Sequence, residues 1–116
     1  MEKPDCLFCR ISRGEVPCRK IYEDDEIFAF HDIAPRAPVH FLVIPKRHIA
    51  SLMDASDDDE GLIGRLALRA QKLARDLGCS EKGARFVANC RSDGGQTVDH
   101  LHLHVLGGRP MSWPPG

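Results

Sequence analysis

His100-Leu101-His102-Leu103-His104-Val105-Leu106 alternates imidazole and apolar side chains. An extended chain sends successive side chains to opposite faces. The run therefore predicts a strand with three imidazoles on one face and the leucines on the other. Histidine is the side chain whose ordinary pKa, about 6.5, lies near neutral pH, so that face is a reactive or metal-binding surface. Immediately upstream, Ser92-Asp93-Gly94-Gly95-Gln96-Thr97 supplies a loop of glycines and hydroxyls. An alternating run also suits an amphipathic edge strand with exposed imidazoles. Three in register behind such a loop favour the functional reading.

Outward from that strand, composition sets the bounds. A chain of 116 residues fits one domain, expected over 1–116 with an irregular tail from Gly107 to Gly116. Sixteen basic against 17 acidic side chains leave a net charge of −1. No overall pull toward nucleic acid or a membrane surface follows, and neither is expected as a partner. The cysteines Cys6, Cys9, Cys18, Cys79 and Cys90 are odd in number and do not resemble a secreted disulfide framework. No long apolar stretch follows the N-terminus to suggest a signal peptide or a bilayer span. A reducing cytoplasm is the expected location.

The remaining elements follow from local signals. Cys6–Ile11 is expected as a short helix with Asp5 as its N-cap and Gly14 as its stop. Arg19–Glu23 and Ile27–His31 form an expected hairpin around Asp24-Asp25. Pro35 and Pro38 break the next loop, His40–Ile44 is a strand stopped by Pro45, and His48–Met53 is a further short piece. The clearest helix is Asp57–Leu77: Ser56 caps it, and Leu62, Leu66, Ala70, Leu73 and Leu77 recur at helical spacing. The acidic run 57–60 suits a helix N-terminus better than a metal site, and Lys46-Arg47 reads as a solvated pair. Arg85–Asn89 is the last strand before the glycine loop. Hairpins with one late long helix predict an α+β domain with a mostly antiparallel sheet.

Four blocks, in order, resemble the histidine triad (HIT) superfamily, and within it the histidine triad nucleotide-binding (Hint) branch. They are Phe30-His31-Asp32-Ile33, His40 through His48, Ser92 through Gln96 with the HLHLHVL run, and the ending Trp113-Pro114-Pro115-Gly116. The resemblance spans Cys6 to Gly116. It implies a HIT-like fold, purine nucleotides of the AMP type as ligands, a homodimer, and hydrolysis of nucleoside phosphoramidates such as adenosine 5′-phosphoramidate. The expected alternatives are a dinucleoside polyphosphate hydrolase and a non-catalytic nucleotide-binding or scaffold protein.

By the same resemblance, His102 is the nucleophile that carries the nucleotidyl group. A neutral imidazole can attack near pH 7, and a covalent intermediate divides one hard displacement into two easier ones. The backbone carbonyl of His100 is expected to select the His102 tautomer. His104 is expected to manage charge or protons at the phosphate, and Thr97 stands where the family usually has serine. Amides around Gly95 and Gln96 are expected to hold phosphate oxygens. Asp32 resembles the ribose-binding acid, Asn89 a further nucleotide contact, and Ile33, Phe30, Phe8 and Ile11 the apolar slot for the base. The last four side chains would also pass for ordinary core. Asp99, where the branch often carries an aromatic, should affect the dimer surface or the leaving-group entrance.

Cys6-Leu7-Phe8-Cys9 has the spacing of a zinc site. Some HIT proteins complete such a site with the histidines that correspond to His48 and His100, which would make a closed, structural Cys₂His₂ centre. No organic cofactor is expected. Two buried free thiols are the plain alternative. A thioredoxin-like redox pair lacks the surrounding βαβ pattern.

Overall fold

Strands β2 (Ile27–His31) and β3 (Val39–Pro45) are apolar at nearly every position because both of their faces are covered. In the computed structural model, which describes residues 3–116, they sit inside a five-stranded antiparallel sheet. The strand order is β1 (Lys20–Glu23), β2, β3, β5 (Leu103–Gly107), β4 (Ala84–Val87). The expected domain span 1–116 thus has its first two residues outside those described. Alternate residues of the two inner strands divide between two cores. Ile27, Ala29, Phe41 and Val43 pack under the long helix α2 (Glu60–Asp76), together with Leu101 and Val105. Phe28, Phe30, Leu42 and Ile44 face the short helix α1 (Leu7–Ser12), meeting Phe8 and Ile11.

Helix α2 buries Leu62, Leu66, Ala70 and Leu73 of the expected stripe, with Ala74 beside them; Leu77, expected as its last apolar position, is instead the exposed C-cap, because the helix ends at Asp76. Asp57–Asp59, expected as its first turn, forms a separate 3₁₀ turn. The reason is a capping box: the Ser56 N–H donates to Asp59 Oδ2 at 2.9 Å, and Asp59 also holds Arg47. Tightening there starts the α-helix at Glu60.

Several boundaries differ from expectation. The cap of α1 is Cys6, not Asp5: the Cys6 sulfur accepts the Cys9 N–H. Pro45 is the last residue of β3 rather than its stop. Of the short piece expected at His48–Met53, His48–Ser51 forms no regular element and Leu52–Asp54 is a 3₁₀ turn. β4 ends at Val87, so Asn89 lies in the connection beyond it. The glycine loop holds a helical turn, α3 (Arg91–Gly94), closed by Gly95 at φ 78°, where a side chain would be strained. β5 begins only at Leu103, so His100, Leu101 and His102 precede the ladder. No helix among the described residues is long and apolar enough to cross a membrane.

Because Leu66 is almost fully buried between α2 and the sheet, Leu66→Ala should lower the unfolding free energy by about 2–4 kcal/mol in urea titrations. A change below about 1 kcal/mol, as seen for surface positions, would contradict this packing.

Candidate active site

His102 is buried, and its Nδ1 lies 2.6 Å from the carbonyl oxygen of His100. A carbonyl only accepts, so Nδ1 carries the proton and Nε2 keeps its lone pair. Burial lowers the His102 pKa, which keeps the ring neutral and able to attack an electrophile; the His100 carbonyl pulls the other way. The period-2 expectation survives the late start of β5. Leu101 and Val105 point into the α2 core, while the His102 and His104 rings stand 4.9 Å apart on the α1 side.

A residue whose role the sequence did not disclose completes this row. His40, at the start of β3, is buried, and its Nε2 lies 3.0 Å from His104 Nδ1 and 3.4 Å from Asp32 Oδ2. The Arg36 N–H donates to His40 Nδ1 at 3.0 Å. That leaves the His40 proton on Nε2, from which it bonds to His104 Nδ1. In its neutral form His104 then carries its own proton on Nε2, as a donor to whatever enters the site. Burial first, then the neighbouring His102 and His40, push the His104 pKa down to about 4. Burial also lowers His40, against the pull of Asp32.

These side chains open onto a cavity of about 720 Å³, lined by apolar Phe8, Ile11, Phe30 and Ile33 and by polar Asp32, Thr97, His102 and His104. Eight of the residues expected at a nucleotide site therefore meet in one place. Ile33 stands fully exposed at its mouth. Asp32 accepts the Ala34 N–H at 2.8 Å through Oδ1, which fixes its carboxylate.

Three expected contacts do not line the cavity: Asn89, Gly95 and Gln96. The Gly95 and Gln96 amides, expected to face phosphate, are donated within the α3 turn to Ser92 and Arg91 carbonyls, each at 3.0 Å. The Gln96 side chain bonds the Ala50 and Val98 carbonyls and so pins the loop. The backbone of Asn89 packs against Gly94. Thr97 and Val98 do line the cavity, and their amides donate to no described residue. Asp99 is exposed in the bend just before His100.

A second cluster sits behind the first. Cys6, Cys9, His48 and His100 bring their donor atoms within 4.8 Å of one another. His100 is fully buried; its Nε2–H donates to the Pro45 carbonyl at 2.8 Å, so Nδ1 presents a lone pair to the thiols. Nδ1 lies 3.3 Å from Cys6 Sγ and 3.6 Å from Cys9 Sγ, and His48 Nδ1 lies 3.6 Å from Cys9 Sγ. Tetrahedral zinc, with bonds of about 2.3 Å to sulfur and 2.0 Å to nitrogen, sets such atoms about 3.5 Å apart. The residues fit the metal, and the Pro45 carbonyl orients the ring as partners of ligating histidines do. Asp32, His40 and His104 also gather three donor atoms. The Arg36 N–H, however, keeps the proton on His40 Nε2, which suits a hydrogen-bond chain and not a metal.

Residues 13–111 match the HIT domain family, and the chain belongs to it. An uncharacterized HIT-like protein of Synechocystis is 50% identical over 112 residues, 97% of each chain. The fold is shared with a HIT family hydrolase from Legionella pneumophila at TM-score 0.95 and 54% identity, over 97% of this chain and 100% of that one. It is also shared with a histidine triad nucleotide-binding protein from Candida albicans at TM-score 0.81 and 32% identity, over 95% and 83%.

His102 and His104 are held neutral in the fold but regain an ordinary affinity for protons when unfolded. The unfolded chain therefore binds more protons below about pH 6.5, and stability falls as the pH falls. For His104 that loss continues down to about pH 4. Urea midpoints should decline across this window, and His104→Gln should flatten the decline; an unchanged slope would contradict the assignment.

Proposed function

We propose that the chain is a Hint-type purine nucleoside phosphoramidase, which cleaves the P–N bond of nucleoside 5′-phosphoramidates through a nucleotidyl-histidine intermediate. The observation that carries this reading is the 2.6 Å contact that leaves His102 Nε2 unprotonated beside the cavity. Support comes from the HIT domain match and from relatives described as a hydrolase and as nucleotide-binding.

In the first step Nε2 attacks the α-phosphorus. An N–P bond forms to His102, the substrate's P–N bond breaks, and the amine leaves with one added proton. His104 Nε2–H and the Thr97 hydroxyl stand where that charge and proton are handled. In the second step water attacks phosphorus, its proton passes to the histidine row, and the nucleoside monophosphate leaves with His102 restored. The Thr97 and Val98 amides take phosphate oxygens. Asp32 accepts the ribose hydroxyls, and Phe8, Ile11, Phe30 and Ile33 hold the purine.

Zinc belongs in this reading at Cys6, Cys9, His48 and His100. With no open coordination position it would be structural, and it would supply a cross-link between α1 and the strands. A homodimer also belongs in it. β4 is an edge strand, with half-exposed Phe86 on it, and Leu68 on α2 is exposed. A second copy would cover these.

His102→Ala should reduce adenosine phosphoramidate hydrolysis by about a thousand-fold or more while AMP affinity changes little. Undiminished turnover would remove His102 as nucleophile, and faster turnover of dinucleoside polyphosphates by the parent enzyme would favour that substrate class instead. Metal analysis of protein purified under reducing conditions should find about one zinc per chain. Sedimentation should give a dimer, and Phe86→Lys should shift it toward monomer.

A further inference from the structure

Helix α1 belongs to both sites at once. Cys6, its cap, and Cys9, inside it, meet His100, and Cys9 also meets His48. Phe8 and Ile11, from the same six-residue helix, line the cavity. The Phe8 ring sits edge-on to His100 at 6.0 Å, to His102 at 5.1 Å and to Phe30 at 5.5 Å. One ring therefore touches a ligand-type histidine, the nucleophile and the base slot.

The backbone holds α1 loosely. Among the described residues, every backbone hydrogen bond made by residues 3–18 closes within that segment. The first bond out to the sheet is the His31 N–H to the Arg19 carbonyl. A helix this short does not persist by itself. Its position rests on the burial of Phe8 and Ile11 and on the sulfur–imidazole cluster. His100 supplies a second connection: its side chain faces the thiols while its carbonyl holds the His102 proton.

We propose that the Cys6–Cys9–His48–His100 centre and the nucleotide cavity are coupled through α1, so that a thiophilic divalent ion in the centre and a purine nucleotide in the cavity each tighten the binding of the other. Cys6 and Cys9, as thiolates, and His48 and His100 would hold such an ion at the spacing they already have, and so keep Phe8 and Ile11 against the base slot. A purine stacked in that slot holds the same helix over the centre. Without the ion α1 would be held by the burial of Phe8 and Ile11 alone, and so would open from the sheet more often while the strands keep their pairing. Coupling of this kind is reciprocal by thermodynamic necessity. The inference rests on the nucleotide reading above.

The test uses the full chain, zinc-loaded and after removal of metal by a chelator under reducing conditions. AMP affinity is measured by calorimetry on both forms, and zinc affinity by competition with a chromophoric chelator, with and without AMP. The expected result is AMP binding about 10-fold tighter to the zinc form, within the usual range of such couplings, and the same factor for zinc when AMP is present. Amide exchange should speed up over residues 7–12 on metal removal while β3 and β5 stay protected. Equal AMP affinity for both forms overturns the coupling and leaves the nucleotide reading intact. No AMP binding to the zinc form overturns the nucleotide reading and the coupling with it. Failure to bind zinc, or exchange that collapses across the whole sheet, also overturns the proposal.

Discussion

The hydrogen bond from His102 Nδ1–H to the carbonyl two residues upstream decides what the rest of the site can do. It puts the proton on the nitrogen turned toward the main chain and the lone pair on the other. The same device recurs on two neighbouring rings. The Pro45 carbonyl takes the His100 Nε2–H and turns Nδ1 toward two thiols. The Arg36 N–H takes the opposite course on His40: it donates to Nδ1 and fixes the proton on Nε2, next to His104. Three main-chain groups thus set the ring protons of three neighbouring histidines, leaving a bare Nε2 on His102 beside the cavity, a bare Nδ1 on His100 facing two thiols, and an Nε2–H on His40 facing His104.

The fold is what brings those main-chain groups into place. β2 and β3 are apolar on both faces, so they can serve two cores. The α2 side supplies bulk packing, with Leu101 and Val105 as the anchors of the histidine run. The α1 side is smaller and is interrupted by the cavity. Alternation along the run then has a division of labour: each inward leucine or valine secures the backbone that aims the next imidazole. Burial there also lowers the pKa of His102 and His104, so the packing that stabilises the sheet keeps both rings neutral at neutral pH.

Much of this was legible in the residues alone. The period of two in HLHLHVL carries to three dimensions although only its second half joins the ladder, because an extended chain alternates whether or not it is paired. The α2 stripe was legible for the same kind of reason, a periodicity that local geometry fixes. The Cys-x-x-Cys spacing converges on the two histidines that the family resemblance suggested. What was hidden depends on register and on turns. His40 meets His104 across 64 residues of sequence, and only the pairing of Leu42 with His104 in β3 and β5 places it. A histidine alternating with Leu42 and Ile44 was the available signal, and it does not name the partner. The Gly95 and Gln96 amides looked free in a glycine-rich loop; the chain instead closes a helical turn there, which uses both and leaves the amides of Thr97 and Val98.

The proton position on His102 is the most direct test. Nitrogen-15 NMR of imidazole-labelled protein at pH 7 distinguishes a protonated ring nitrogen from a bare one. The geometry requires a protonated Nδ1 and a bare Nε2 on His102 in the resting protein. A protonated Nε2, whether in the other neutral tautomer or in an imidazolium, would contradict the assignment of that atom as the one that bonds phosphorus.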